Sequence, residues 1–163
     1  MTLTRPDAAV AAAPSSGAIQ GDEATKVITA FYATVDDPAW GAAELDAFFS
    51  GDFVDHDRAP NAPVEAPDRA VVLGLFAEIE TGFSDTSHSL DILESLGEDR
   101  ALVYWTFTAT HTGTFFGHTA TGNRVEIRGV DIFRVRDGKF SEIWHVEDLM
   151  ALFAQITPAT AAS

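Results

Sequence analysis

RVEIRGVDIFRVRDGKFSEIWHVED, residues 124–148, alternates apolar and polar side chains on both sides of the short turn sequence RDG. Alternation with a period of two is typical of β-strands that bury one face. Two such runs separated by a glycine-containing turn predict an antiparallel hairpin, with strands over 124–135 and 139–148. The second strand carries a histidine, His145, between a tryptophan and a valine, so the first question is what this side chain faces.

The rest of the chain divides into a helical N-terminal half and an extended C-terminal half. Apolar residues recur at helical spacing before residue 84 and with a period of two after it. The predicted elements are, in chain order, helices over 22–36 and 39–50, a short extended piece over 53–57, a proline-rich loop over 58–67, a helix over 69–82, strands over 87–96 and 101–116, the hairpin, and a helix over 149–156.

This order predicts an α+β fold, in which a curved antiparallel sheet of about four to six strands is wrapped by three N-terminal helices and completed by a short C-terminal helix. Glycines that interrupt the strand pattern indicate bends or bulges in the sheet. A strongly curved sheet capped by helices encloses a cone, and such a cone is a natural pocket for a small molecule.

Composition limits the class of protein. The chain has 163 residues, of which 46% are apolar, so we expect one domain over 21–157 with flexible ends at 1–20 and 158–163. The absence of cysteine excludes disulfides and thiolate sites. The net charge of −15 argues against nucleic acid and anionic membranes as partners. No apolar run approaches membrane-spanning length and the alanine-rich start does not match a signal peptide, so we expect a cytoplasmic protein.

The register of the hairpin decides whether Asp131 and His145 lie on the same face of the sheet. A two-residue turn would place the two side chains on opposite faces. A three-residue turn would pair Asp131 with Ile143 and make Asp131 and His145 diagonal neighbours on one face. We expect the three-residue turn, because Gly138 suits its left-handed position.

The strand before the hairpin offers a third polar residue, His111. If the connection between the two strands is centred on Thr121, His111 pairs with Asp131 and shares its face. Together with His145 they would form an acid–base site in an apolar cavity. Aromatic side chains would line the approach to it: Trp105 and Phe107.

The ordered set of motifs in THTGTFFGHTATGNRVEIRGVDIFRVRDGKFSEIWHVED resembles the SnoaL-like polyketide cyclases and ester cyclases, which belong to the nuclear transport factor 2-like superfamily. The resemblance covers residues from about 22 to 156. It implies a cone-shaped α+β barrel with a ligand pocket, a homodimer, and no metal or organic cofactor. It does not specify a substrate.

The resemblance also implies roles for two positions. In the aromatic-polyketide cyclases of this family, a carboxylate on the final strand is the acid–base group for an intramolecular aldol closure, and a histidine lies on the neighbouring strand. In this sequence those positions hold His145 and Asp131, so the two residue types are exchanged. A polar residue that is usual at the position of Gly129 is also missing.

Our hypothesis for the site makes His145 the general acid or base, oriented by Asp131, while His111 polarises a substrate carbonyl. The alternative is that the same histidines form hydrogen bonds that only support the strands. His88 and His118 are expected at the surface and receive no role. The residues expected to bind substrate are Tyr32, Phe53, His56, Trp105, Phe107 and Phe133.

Two of these assignments have structural alternatives. For His56 the pattern favours a solvated loop over a place at the pocket mouth, and Tyr32 is equally compatible with an aromatic core residue. A metal site built from His56, His111, His145 and Asp131 has no supporting short ligand spacing, so none is expected.

These patterns favour a cofactor-independent cyclase or isomerase that acts on a hydrophobic, carbonyl-bearing molecule of polyketide or terpenoid type. An epoxide-opening hydrolase or cyclase would use the same residues. A non-catalytic module that binds a small ligand and a pure dimerisation domain are also compatible with this fold. The partners expected are a hydrophobic small molecule and a second copy of the chain, with no nucleic acid and no membrane.

Overall fold

The computed structural model describes residues 23–58 and 62–157, so the predicted tails at 1–20 and 158–163 lie outside the described residues. The described part is an α+β domain with four helices and a five-stranded sheet. The elements are α1 (Glu23–Val35), α2 (Ala42–Asp46), β1 (Phe49–Asp55), α3 (Asp68–Gly82), β2 (Phe83–Ser95), β3 (Arg100–His111), β4 (Arg124–Arg136), β5 (Lys139–Glu147) and α4 (Leu149–Ile156). The predicted fold class is confirmed.

The sheet is curved and open, with the strand order β1-β5-β4-β3-β2. The four later strands form the predicted antiparallel meander, whereas β1 pairs in parallel with β5. β1 begins at Phe49, inside the segment predicted as a helix over 39–50. The helix in this segment, α2, is therefore shorter than predicted, because Phe49 pairs with Phe140 of β5, a partner far away in the sequence that outweighs the local helical spacing.

The turn between β4 and β5 corrects the predicted register. Asp137 and Gly138 form a two-residue turn, and both have positive φ, 51° and 71°, as a type I′ turn requires. The predicted three-residue turn was therefore wrong. Ser141 then forms a bulge that shifts the pairing by one residue, so that Asp131 lies directly opposite His145. The two residues share a face, as expected, although the bulge and not the turn places them there.

The connection between β3 and β4 also differs from expectation. Val103, not His111, lies opposite Asp131, and Thr110 pairs with Arg124. The expected pairing of His111 with Asp131 was wrong because a tight turn closes the connection near Gly117, several residues before the centre that we assumed.

The core lies between the concave face of the sheet and the helices. Alternate residues of β3 are buried, from Ala101 to Ala109, and β4 continues the same pattern. Phe31 of α1 stands at the centre of an aromatic cluster and contacts, edge to face, the rings of Phe48, Phe49, Phe76, Phe133 and Phe140. Among the described helices, none combines the length and the apolar content that spanning a bilayer requires.

Candidate active site

A pocket of about 790 Å³, including its open mouth, lies between the concave face of the sheet and helices α1, α3 and α4. Most of its wall is apolar, formed by Phe31, Phe49, Val72, Leu75, Phe76, Ile79, Phe107, Phe115, Ile127, Phe133, Ile143, Leu149 and Leu152. The remaining lining residues carry polar groups: Tyr32, His88, Trp105, Asp131, His145 and Glu147. An apolar wall with a few convergent polar groups is typical of a site for a small organic molecule.

Asp131 is the most buried carboxylate of the pocket, with 4% of its surface exposed. Its Oδ2 atom accepts hydrogen bonds from the Tyr32 hydroxyl and from Trp105 Nε1, the latter at 2.8 Å. Burial raises the pKa of Asp131 to about 7, against the opposing effect of the Tyr32 hydrogen bond and with a further upward contribution from the charge of Glu147. A carboxyl group with this pKa can both accept and donate a proton near neutrality.

His145 lies between carboxylates. Its Nε2 is 3.1 Å from Asp55 Oδ1 and its Nδ1 is 3.6 Å from Glu147 Oε1. Burial acts to lower the pKa of His145, but the contacts with Asp55 and Glu147 outweigh it and raise the pKa to about 10. The imidazole is therefore a cation at neutral pH, whereas a general base would need the neutral form.

Contrary to our expectation from the sequence, Asp131 does not orient the His145 ring; other carboxylates do. Asp55 and Glu147 hold the ring, and the backbone N–H of His145 donates to Asp57 Oδ2 at 2.9 Å. Glu147 received no role from the sequence, yet it follows His145 by two residues on the same strand, so the period of two would have found it. The pairing with Asp55 depends on the parallel contact of β1 and β5 and had no local signal.

Of the residues expected to bind substrate, Tyr32, Trp105, Phe107 and Phe133 line the pocket. Phe53 does not, and packs edge to face on Phe49 in the core. His56 lies on the other face of the sheet, where its ring stacks on Trp144 at 4.3 Å and its Nε2 contacts Glu142 at 2.8 Å. The expected contact of Phe53 and His56 with a ligand is therefore not supported by their positions.

His111 is fully buried but does not line the pocket. Its Nδ1 lies 3.0 Å from Thr121 Oγ1, and its ring contacts Phe83. This position, on the far part of β3 from Asp131, gives it a structural role in holding the connection that follows the strand.

His88, expected at the surface, lines the pocket with only 8% of its side chain exposed. It pairs with Asp36, which follows the end of α1. The sequence did contain a signal, because His88 is in phase with the apolar Leu90 on the same strand.

The four residues considered for a metal site do not come together, because His56 and His111 lie away from Asp131 and His145. Among the described residues, Asp131, His145 and Glu147 each offer one ligand atom, and these atoms lie within 4.8 Å of one another. An ion at this place would have to displace the contacts of His145 with Asp55 and Glu147.

Comparison with known proteins agrees with this geometry. A family model described as SnoaL-like polyketide cyclase matches residues 26–156. TsrD from Streptomyces laurentii is 27% identical, with a TM-score of 0.65 over 80% of this chain and 92% of that chain. IdmH from Streptomyces antibioticus, named as a candidate polyketide cyclase, is 24% identical, with a TM-score of 0.66 over 81% and 96%.

A SnoaL-like polyketide cyclase from Agrobacterium tumefaciens shares the fold at 18% identity, with a TM-score of 0.62 over 82% of this chain and 98% of that chain. No curated protein matches the chain. The family model covers most of the chain, and the curved open sheet with its helices has the cone shape of the nuclear transport factor 2-like fold. The chain therefore belongs to the SnoaL-like polyketide cyclase family.

Proposed function

We propose that this protein is a cyclase or isomerase that moves protons with its own side chains on a hydrophobic, carbonyl-bearing small molecule of polyketide or terpenoid type. The observation that carries the proposal is Asp131, a carboxylate with a pKa of about 7 inside an apolar pocket. Perturbed carboxylates in apolar clefts are typical of acid–base catalysis. Membership of the SnoaL-like polyketide cyclase family also supports a cyclase-type role.

Asp131 acts as the base in this proposal, and His145 supplies positive charge. Both hydrogen bonds to Asp131 go to Oδ2, which leaves Oδ1 free to accept a proton from the carbon beside a substrate carbonyl. The C–H bond breaks, an O–H bond forms on Asp131, and the electron pair moves onto the carbonyl oxygen. The nearby His145 cation stabilises the enolate that results.

The enolate then has two outcomes. Attack of its carbon on a second carbonyl of the same molecule closes a ring, whereas return of the proton from Asp131 to a different carbon gives an isomer. These roles are the reverse of those expected from the sequence, because burial makes the carboxyl group the titrating residue, and two carboxylates, Asp55 and Glu147, keep the imidazole charged.

The test uses β-tetralone, an apolar ketone with exchangeable protons beside its carbonyl, in deuterated buffer. Proton NMR measures the rate at which the protein accelerates exchange over buffer. We expect Asp131→Asn to lower this rate by roughly 10²-fold to 10⁴-fold, the usual contribution of a positioned proton-transfer group. The wild-type rate should rise with pH through about 7, as Asp131 ionises, and fall near about 10, as His145 loses its proton.

Asp91→Asn is the matched control, because Asp91 is exposed and bonds Ser89 and Thr106 away from the pocket. Its exchange rate should equal that of the wild type. A wild-type protein that binds β-tetralone, seen as broadened ligand signals, but does not accelerate exchange would contradict the proposal and indicate a non-catalytic binding module.

A further inference from the structure

A second histidine–carboxylate pair, separate from Asp131 and His145, faces the same pocket. It consists of His88 on β2 and Asp36, just after α1. His88 lies opposite Phe107 in the pairing of β2 with β3, so its side chain points to the concave face together with that ring. The pair is built from distant parts of the chain and is not explained by the chemistry assigned to Asp131.

Asp36 holds His88 at two points. Its Oδ2 accepts the backbone N–H of His88 at 2.7 Å, and its Oδ1 lies 2.7 Å from Nδ1 of the ring. A carboxylate accepts hydrogen bonds, so Nδ1 carries the proton in the neutral imidazole. The lone pair is then on Nε2, the nitrogen on the other side of the ring.

Among the described residues, none forms a hydrogen bond with Nε2 of His88. The ring is framed by Tyr32, Trp105 and Phe107, with centroid distances of 5.0, 5.7 and 4.9 Å. The polar atoms of two of these neighbours, the Tyr32 hydroxyl and Trp105 Nε1, are directed at Asp131 instead. A ring nitrogen without a protein partner, on a side chain that is 8% exposed and lines the pocket, is available to a ligand.

Tyr32 connects the two proton-transfer positions. Its ring contacts His88, and its hydroxyl donates to Asp131, so the two groups flank one side chain at the polar part of the pocket. Closing a ring by aldol addition requires a base for the C–H bond and a separate group that handles the proton of the new hydroxyl. One pocket with two such groups can serve both.

We propose that His88 is a second catalytic residue, which exchanges the proton of a substrate hydroxyl at Nε2, and that Asp36 is its positioning residue. The inference rests on the proposed function, because it assigns the second proton of the same reaction. In the cleavage direction, the hydroxyl O–H bond breaks and the proton moves to Nε2. The oxygen electron pair forms a carbonyl, the adjacent C–C bond breaks, and its electron pair becomes an enolate that is protonated on carbon by Asp131. The substrate class is therefore a β-hydroxy ketone or the dicarbonyl compound that closes to it.

The test compares two probes in the full-length protein. Methodol, the fluorogenic aldol of acetone and a methoxynaphthaldehyde, requires removal of a hydroxyl proton for cleavage, whereas exchange into β-tetralone requires only the C–H base. We expect His88→Gln to lower kcat for methodol cleavage by about 10²-fold or more, and to lower the rate of β-tetralone exchange at least tenfold less than it lowers methodol cleavage. Added imidazole should restore cleavage in His88→Ala.

Asp36→Asn tests the positioning role. It should lower kcat for methodol less than His88→Gln does, and nitrogen NMR of the histidine ring should show the proton of His88 shifting from Nδ1 towards Nε2. His118→Gln is the matched control, because His118 lies in the connection after β3 and lines no part of the pocket. It should leave both reactions unchanged.

The outcomes separate the two proposals. Loss of methodol cleavage with retained β-tetralone exchange supports the role of His88. Three outcomes overturn the inference and leave the role of Asp131 intact. In the first, His88→Gln keeps methodol cleavage, and in the second it loses both reactions together with its thermal stability. In the third, the wild type exchanges β-tetralone but does not cleave methodol. A wild type that does not exchange β-tetralone overturns the proposed function and this inference with it.

Discussion

Trp105 lies flat on β4 because the residue directly opposite it, Gly129, has no side chain. A Cβ atom at position 129 would come within 2.2 Å of Cζ2 of the indole. The space left by this glycine lets Trp105 Nε1 reach the Asp131 carboxylate at 2.8 Å. The indole N–H therefore supplies a polar donor beside the position where the family resemblance led us to expect a polar side chain.

Gly129→Ala should disturb both packing and proton affinity. The indole must move, and overpacking of this kind costs about 1–3 kcal/mol in the free energy of unfolding. Loss of the Trp105 hydrogen bond removes an influence that lowers the pKa of Asp131, so that pKa should rise above about 7. Urea unfolding measures the first effect, and the alkaline displacement of the rising limb of β-tetralone exchange measures the second.

Gly51→Ala is the control for this substitution. Gly51 also lies in a strand, but a Cβ atom there would meet nothing within 4 Å. It should change the free energy of unfolding by no more than a few tenths of a kcal/mol, and it should leave the pH profile of β-tetralone exchange unchanged. Equal stability of Gly129→Ala and Gly51→Ala would mean that the indole does not rest on Gly129.

At the scale of elements, the hairpin of β4 and β5 determines where His145 points. The type I′ turn alone would leave Asp131 and His145 on opposite faces, and the Ser141 bulge reverses this by inserting one residue into β5. The conformation of the turn can be tested directly, because a type I′ turn requires a positive φ at Asp137 and a three-residue turn does not.

Asp137→Ala should destabilise the protein by about 1 kcal/mol, because Asp137 has a φ of 51° and alanine tolerates the left-handed region poorly. Asp137→Gly should recover that loss. Arg136→Ala, at the exposed end of β4, serves as the control and should change stability by less than about 0.5 kcal/mol. Urea unfolding of the three variants checks this, and an unaffected Asp137→Ala would favour the three-residue turn.

The sequence predicted the elements that carry a strong local period, namely α1, α3, α4 and the strands β2 to β5. It failed where a distant partner decides the structure. β1 depends on its parallel pairing with β5, and the short α2 ends early because Phe49 joins that strand. The local sequence pattern contains no information about the pairing of β1 with β5.

The same division holds for the pocket. Asp131, Tyr32 and Trp105 were identified from the alternation of the strands and from the amphipathic first helix. The charge state of His145 was not, since it depends on Asp55, which reaches the site through a non-local strand pair. Asp36 likewise meets His88 across 52 positions of sequence, and no spacing rule connects them.

At the scale of the whole molecule, the convex face of the sheet carries an apolar surface that the helices do not cover. Strand pairing aligns its residues in two rows across neighbouring strands. These residues are Ile92, Tyr104, Val130 and Val146 in one row, and Leu102, Ile132 and Trp144 in the other. Ile92 and Val146, at the two ends of the first row, are 48% and 68% exposed. Contiguous apolar surface of this extent is typical of protein–protein contacts.

We propose that a second copy of the chain covers this face and forms a homodimer. Light scattering coupled to gel filtration should give about twice the chain mass of 17.5 kDa. Each chain carries a net charge of −15, so like-charge repulsion should weaken the dimer at low salt and screening should strengthen it at about 0.15 M.

The double variant Ile92→Lys, Val146→Lys should shift the mass towards that of the monomer. Met150→Lys changes a side chain that is 82% exposed outside the sheet and should leave the mass unchanged, whereas a wild-type mass of 17.5 kDa at every concentration and salt would contradict the dimer.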